Sequence, residues 1–188
     1  MAKTLDDYLK EITTLAGGRD LSTAWFRDKI RQIVPKRIAE GQMRSMIRAG
    51  DHSTRPIYGI MNLYYYMPKY EETLPYYDVF PLVIPIKRLP GGFLGLNFHY
   101  LSVPLRMKLM EKLLPMTKEN RIIGWTRVSK FRLVKPCVKR YLIANVGTRF
   151  LKIPDEDMPM VNMMPLQKFK KESFRKVHAE SRKIALGG

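Results

Sequence analysis

The chain has almost no cysteine, few acidic residues and no long apolar run, and each shortage removes a class of protein. One cysteine in 188 residues, Cys137, forbids an intramolecular disulfide and a thiolate zinc cluster. Synthesis in a reducing, intracellular compartment is therefore expected, with Cys137 a small apolar filler after Pro136. No stretch approaches the roughly 20 apolar residues that span a bilayer. The opening residues Met1-Ala-Lys-Thr-Leu-Asp-Asp lack the apolar segment of a signal peptide, so a soluble, unsecreted chain with no membrane partner is expected. Catalytic signatures are missing as well. His52, His99 and His178 stand far apart, no HExxH, zinc-ligand pair, phosphate loop or Gly-x-Ser-x-Gly occurs, and Gly91-Gly92 belongs to a turn. Asp155, Glu156 and Asp157 are adjacent, but consecutive side chains splay apart, which favours a helix start over a metal site. These absences point to a protein that is not an enzyme and uses no cofactor or metal.

What the chain has in excess is positive charge. Lysine and arginine number 34 against 17 acidic residues, a net charge of +17, and such an excess draws phosphate backbones or other polyanions through a long-range, salt-sensitive field. The segment 120–154 holds Arg121, Arg127, Lys130, Arg132, Lys135, Lys139, Arg140, Arg149 and Lys152 with no carboxylate. Trp125, Phe131 and Tyr141 lie among them, so phosphate contacts and stacking platforms coexist there, as surfaces for single strands and DNA ends require. A second basic run, from residue 167 on, carries Lys168, Lys170, Lys171, Arg175 and Lys176, then Arg182 and Lys183, against Glu172 and Glu180. The candidate nucleic-acid-binding residues are thus Arg121, Arg127, Lys130, Arg132, Lys135, Lys139, Arg140, Lys168, Lys170, Lys171, Arg175 and Lys176. The competing reading is that the aromatics are core and the cations meet water or an acidic neighbour in an assembly.

The apolar pattern sets the expected elements. Thr4 and Asp7 form a capping pair ahead of Leu5, Tyr8, Leu9, Ile12, Leu15 and Ala16, and Gly17-Gly18 stops the helix. A second helix runs from Ser22 or Thr23 to about Val34, where Pro35 ends it, completing a helical hairpin. Residues 35–55 have only Met43, Met46 and Ile47 as apolar anchors and are expected to be a basic arm that orders against a partner. Strands are expected over 57–66, 79–86 and 93–100, with a turn at Leu89-Pro-Gly-Gly. Pro81 and Pro85 cannot donate to a ladder, so one edge of the middle strand is expected to be free or bulged, and a central position is not expected for it. Phe80, Leu82, Ile84, Phe93, Leu96 and Phe98 are assigned to the core of this pair, covered by a helix from Ser102-Val-Pro-Leu through Leu105, Leu109, Met110 and Leu113 that ends before Pro115. Further on, Ile122-Ile-Gly-Trp and Phe131-Arg-Leu-Val are expected as short strands, 138–146 as helical, 150–153 as a strand, and Val161-Asn-Met-Met-Pro-Leu as strand-like. The methionines at 158, 160, 163 and 164 are assigned to core filling ahead of an adaptable contact surface.

The expected architecture is α+β: a small antiparallel sheet, open or barrel-like, with an N-terminal helical hairpin and basic arms. The division is 1–55 for the hairpin and arm, 56–166 for a mixed core domain and 167–188 for a basic C-terminal tail. Chains of this size bury about 70% of their unfolded surface, enough for one ordinary core.

The run Leu74-Pro-Tyr-Tyr-Asp-Val-Phe-Pro-Leu-Val-Ile-Pro-Ile, continued by Gly92-Phe-Leu-Gly-Leu-Asn-Phe-His-Tyr-Leu, resembles small basic virion proteins of large tailed bacteriophages, the T-even-type DNA end protector group. The likeness spans about 63–114 and returns weakly at 148–156 and 173–181, leaving the N-terminal helices outside it. It transfers no active-site residue. It implies a non-enzymatic virion protein, made in the host bacterial cytoplasm, at the portal, neck or tail, contacting the packaged DNA end and neighbouring ring proteins. Two other readings stay open: an architectural tail or baseplate component that grips acidic protein neighbours, and an RNA-binding ribosomal-type protein.

Overall fold

A computed structural model describes residues 3–118 and 123–187. Among the described residues, seven α-helices pack with a six-stranded sheet. In chain order they are α1 (Leu5–Ala16), α2 (Thr23–Ile33), α3 (Glu40–Ala49), β1 (His52–Ser53), β2 (Met61–Leu63), β3 (Tyr77–Asp78), β4 (Leu82–Leu89), β5 (Gly92–Asn97), α4 (Val103–Lys118), α5 (Trp125–Val128), β6 (Val138–Leu142), β7 (Phe150–Ile153), α6 (Met158–Met163), β8 (Phe169–Lys170) and α7 (Phe174–Leu186). The large sheet runs β1-β7-β2-β4-β5-β6, with every pairing antiparallel, and β3 and β8 form a separate ribbon. The fold is α+β as expected, but the sheet is open and not closed into a barrel.

The N-terminal hairpin follows its local signals. Thr4 and Asp7 exchange both capping bonds, at 3.1 and 2.7 Å, and Gly17 closes α1 at φ 60°. Ser22 accepts the Trp25 N–H at the start of α2, and Val34 turns extended ahead of Pro35. Leu5, Tyr8, Leu9 and Ile12 are buried, whereas Leu15 remains 47% exposed.

The arm expected over 35–55 is corrected. Met43, Met46 and Ile47 recur at helical spacing and are all buried in α3, and β1 adds to the sheet through His52↔Leu151 and Ser53↔Phe150. Three residues on one stripe are enough once a preformed core accepts them, each burial being worth about 1.5–3 kcal/mol. The basic stretch after residue 166 is likewise folded. Val177, Ser181 and Ala185 form a buried stripe of α7, and Glu40 pairs with Lys170 across α3 and β8 at 2.5 Å.

The central strand was the least expected element. β4 lies between β2 and β5, contrary to the reading from its prolines. Pairing to β2 involves only Leu82 and Val83, so Pro85 faces no ladder partner there, and its carbonyl accepts the Gly59 N–H at 3.0 Å. The register against β5 shifts between Pro85 and Lys87, a bulge that accommodates the missing donor. Pro81 and Pro85 are buried, because both faces of the sheet are covered. One face carries Leu82, Ile84, Leu96 and Phe98 into the main core with Leu109, Met110 and Leu113 of α4. The other carries Val83, Phe93, Tyr64, Tyr66, Tyr141 and Phe150 into an aromatic cluster. Phe93 therefore sits opposite Leu96, as period-2 alternation requires.

Other boundaries moved. The strand expected over 57–66 is three residues long, and the one over 93–100 yields at Phe98 to a short 3-10 turn through Tyr100. α4 continues past Pro115, which lies in its final turn. Of the strand expected at 122–125, Ile122 lies outside the described residues, while Trp125–Val128 is helical and Arg132–Val134 a 3-10 turn, closed by local bonds such as Ser129 N–H to Trp125 O. The helical rhythm of 138–146 is overridden. The free edge of β5 recruits 138–142 as β6, and Phe93 stacks on Tyr141 at 5.4 Å. Residues 158–163 form α6, headed by Asp157, so the strand-like character expected over 161–166 is not realised, and Met158, Met163 and Met164 lie in the core; β7 is as expected.

Candidate nucleic-acid interface

A buried polar knot holds the elements of the interface in place. Asp78, on β3, is 3% exposed, and its Oδ2 accepts from His99 Nδ1 at 2.6 Å and Asn97 Nδ2 at 3.3 Å. Its Oδ1 accepts the backbone N–H groups of Phe80 (3.2 Å) and Lys168 (3.0 Å). Burial alone would push this carboxyl up, but His99 and the other donors outweigh it and hold it below its ordinary value. Asn97 also donates to the Tyr141 hydroxyl at 3.0 Å, linking the knot to β6. Arg106 of α4, fully buried, donates to the carbonyls of Leu101, Asn162 and His99 and to Gln167 Oε1; burial lowers its guanidinium to about 10. His178 of α7 bonds the same His99 carbonyl at 2.9 Å. Asp78, Asn97, His99, Arg106 and His178 thus fasten β3, β5, α4 and α7 together.

Two concave surfaces flank this knot. The larger, about 1120 Å³, lies where the end of α2 meets the start of α7, on a floor of Ile30, Val34, Val103 and Met163 with Phe174 at its edge. Its rim carries Arg31, Lys36, Arg37 and Arg175, all exposed, and no carboxylate lines it. Arg31 alone has an acidic neighbour, Asp28 at 3.7 Å. The first turn of α7, capped by Ser173, opens into the same groove and adds the positive end of a helix dipole.

The smaller cleft, about 370 Å³, lies between the 67–77 loop and β6 and is lined by Tyr66, Pro68, Leu74, Pro75, Tyr76, Tyr77, Asp78, Tyr100, Lys139, Arg140 and Tyr141. Lys139 Nζ stands 4.0 Å from the Tyr100 ring centre, and Tyr76 and Tyr100 lie 6.0 Å apart with a 39° tilt. Burial pushes the Lys139 ammonium below its ordinary value, and burial with the Glu180 bond raises Tyr76 to about 12.

The expected binding residues fall into distinct settings. Arg121 lies outside the described residues. Arg127, Lys130 and Lys135 are exposed on the 125–135 segment. Arg132 is exposed too, but its guanidinium fills the space beside Gly187 where α7 ends. Lys139 and Arg140 share the small cleft, and Arg175 belongs to the groove. Of the remaining candidates, Lys168 is held through its backbone N–H by Asp78, while the ammonium groups of Lys170, Lys176 and Lys171 meet Glu40, Glu172 and the carbonyls of Glu71, Glu72 and Leu74. Sequence reading missed Arg31, Lys36 and Arg37 as binding residues, and of the cleft's tyrosines it singled out only Tyr141. The dense tyrosines at 64–66 and 76–77 were the visible signal, but only the fold sets Tyr66 and Tyr76 facing Lys139. Among the described residues, no helix is long and apolar enough to cross a membrane, and no cluster of His, Cys, Asp or Glu is placed to hold a metal.

The family model described as Phage T4 terminal DNA protecting protein matches residues 6–184 and so includes the N-terminal helices. Neither the curated proteins nor the solved structures compared with the chain yield a match.

Proposed function

The chain belongs to the phage T4 terminal DNA protecting protein family, and we propose that it binds the ends of packaged phage DNA without sequence preference and shields them from degradation, as a non-enzymatic virion protein at the portal, neck or tail beside neighbouring ring proteins. The observation that carries this reading is the groove between α2 and α7. Four cations surround an opening with no carboxylate, an arrangement suited to several phosphates at once. Arg127, Lys130 and Lys135 supply further phosphate contacts on the exposed 125–135 segment. A base-reading helix is not part of the proposal, because electrostatic contact to phosphates positions a protein without conveying sequence.

The test compares the wild type with Lys36→Glu/Arg37→Glu/Arg175→Glu in binding and exonuclease-protection assays on linear duplex DNA. Each lost phosphate contact reduces the slope of log affinity against log salt by about 0.9, so the triple variant is expected to lose roughly 2.7 units of slope and its protection of linear DNA. Unchanged affinity and slope would overturn the assignment of the groove. Wild-type protein that ignores DNA at low salt, yet pulls down acidic virion proteins, would favour the architectural reading instead.

A further inference from the structure

We propose that the tyrosine-lined cleft beside β6 is a subsite for the terminal nucleotide of a DNA strand, with its phosphate on Lys139 and Arg140 and its base against Tyr76. This rests on the DNA-end reading above and adds to it a place for the end itself, distinct from the groove that takes the backbone.

The first argument is an unmatched charge. Lys139 is half-buried, and no ion pair or hydrogen bond to its Nζ occurs among the described residues; its one close partner is the Tyr100 ring at 4.0 Å. A desolvated ammonium without an anion is costly, so the cleft favours a ligand that brings negative charge. Asp78 is not that anion, although it lines the cleft, since both its oxygens already accept from His99, Asn97, Phe80 and Lys168. Burial lowers the Lys139 ammonium and outweighs a smaller opposing contribution from Cys137, as expected for a cation without a paired anion. Arg140, the next residue, is exposed at the mouth and gives a second, bidentate-capable donor.

The second argument is a fixed aromatic platform. The Tyr76 hydroxyl donates to Glu180 at 2.8 Å, the Tyr66 hydroxyl accepts the Leu142 N–H at 3.3 Å, and the Tyr141 hydroxyl is held by Asn97. Tyr66 and Tyr141, 6% and 4% exposed, form the buried backing of the cleft, and the partly exposed Tyr76 ring, anchored in this way, loses little entropy when a base stacks on it. The opposite wall is equally ordered: Lys171 donates to three carbonyls of the 71–74 turn, and the Tyr77 hydroxyl donates to Glu71 at 2.7 Å. That loop also carries the exposed Met67, Tyr70 and Leu74.

The third argument is size. About 370 Å³ is at the low end of ligand sites, room for one nucleotide and far too little for a duplex. Only a strand terminus or a free nucleotide enters, and the family description points to the terminus.

The experiment uses the full chain with three probes: a hairpin duplex with one open end bearing a 5′-phosphate, a dumbbell of the same sequence with no end, and free thymidine 5′-monophosphate. Wild type is expected to bind the hairpin about tenfold or more tighter than the dumbbell, the worth of one charge-assisted contact with stacking. Lys139→Met and Tyr76→Ala are expected to remove that preference while leaving dumbbell affinity within about twofold, which is the range of a surface change outside the backbone groove. Arg140→Gln, at an exposed side chain, is expected to reduce it as well and remains readable should Lys139→Met fail to fold. Lys36→Glu/Arg37→Glu is expected to weaken both DNA probes alike and keep their ratio. Equal wild-type affinity for hairpin and dumbbell, or a ratio unaltered in Tyr76→Ala and Arg140→Gln, overturns the subsite while leaving the DNA-binding reading intact. Free mononucleotide that competes as well as the hairpin end overturns the assignment to a strand terminus. Absence of binding to either DNA overturns both.

Discussion

Replacing Asp78 with alanine removes the acceptor on which the interface is assembled. The Asp78 and His99 side chains are 1% and 0% exposed, so the substitution leaves His99 Nδ1, one Asn97 N–H and the backbone N–H groups of Phe80 and Lys168 without their partner in a dry site. Breaking a buried pair from one side costs about 3 to 5 kcal/mol, a large part of the roughly 5 to 15 kcal/mol that holds a domain folded. For a chain of this length, each kcal/mol moves the melting midpoint by about 2–4 °C, so Asp78→Ala is expected to melt roughly 6 to 20 °C below the wild type. Circular dichroism melts and urea titrations at neutral pH measure it. The sign of the pH dependence follows from the carboxyl being held below its ordinary value in the fold. Its contribution is complete above the unfolded carboxyl's pKa and is lost as pH falls through the folded one, so the wild-type advantage over Asp78→Asn should shrink in acid. His99→Ala should be damaging for the same reason, and the double variant should lose less than the sum of the singles, by about 0.5 to 3 kcal/mol. An Asp78→Ala protein within about 1 kcal/mol of wild type, or strict additivity with His99→Ala, would refute the knot as a source of stability.

Phe98→Ala, at a fully buried position of the main core, is expected to cost about 3 to 5 kcal/mol by chemical denaturation; a loss below 1 kcal/mol would contradict the packing. Cys137 is buried and its thiol is pushed up to about 12, so it should resist thiol reagents in the folded protein and react on unfolding in denaturant. Reaction at equal rates in both states would show that the site is open. His178 is pushed down to about 4 by burial from an ordinary 6.5, so the unfolded chain binds its proton first and stability should fall as pH drops from about 6.5 towards 4. A His178→Gln variant with an unaltered stability profile in that window would refute this.

Local chemistry was legible wherever the signal and its effect lie within a few residues. Thr4, Asp7 and Gly17 delimit α1, Ser22 and Pro35 delimit α2, and Leu89-Pro-Gly-Gly turns β4 into β5, because caps and turns are satisfied by their immediate neighbours. The tyrosine- and proline-rich run pointed to the family, and the charge excess pointed to a polyanion. Legibility ended where two distant segments compete or cooperate. Val138, Tyr141, Leu142 and Asn145 fit a helix taken alone and become strand and turn because β5 presents an unpaired edge. Two prolines argued against a central strand, yet β2 pairs with only two residues of β4 and a bulge absorbs the rest.

The candidate site divides in the same way. Composition by itself determined that this chain carries a strong positive field, since charge sums without regard to position, and it identified Lys139, Arg140 and Arg175 as candidates. Only the tertiary structure decided which cations remain available. Lys170, Lys171 and Lys176 stand in the same basic run as Arg175, but each meets an acid or a set of carbonyls within hydrogen-bonding distance, whereas Arg175 is carried by α7 to the rim that Arg31 reaches from α2 and Lys36 and Arg37 from the segment after it. Lys139 is set beside Tyr66, Tyr76, Tyr77 and Tyr100, all more than 30 positions away, by the pairing of β6 with β5 and of β3 with β8. Charge is a property of residues one at a time; pairing, burial and shared cavities belong to residues that the chain brings together only by folding.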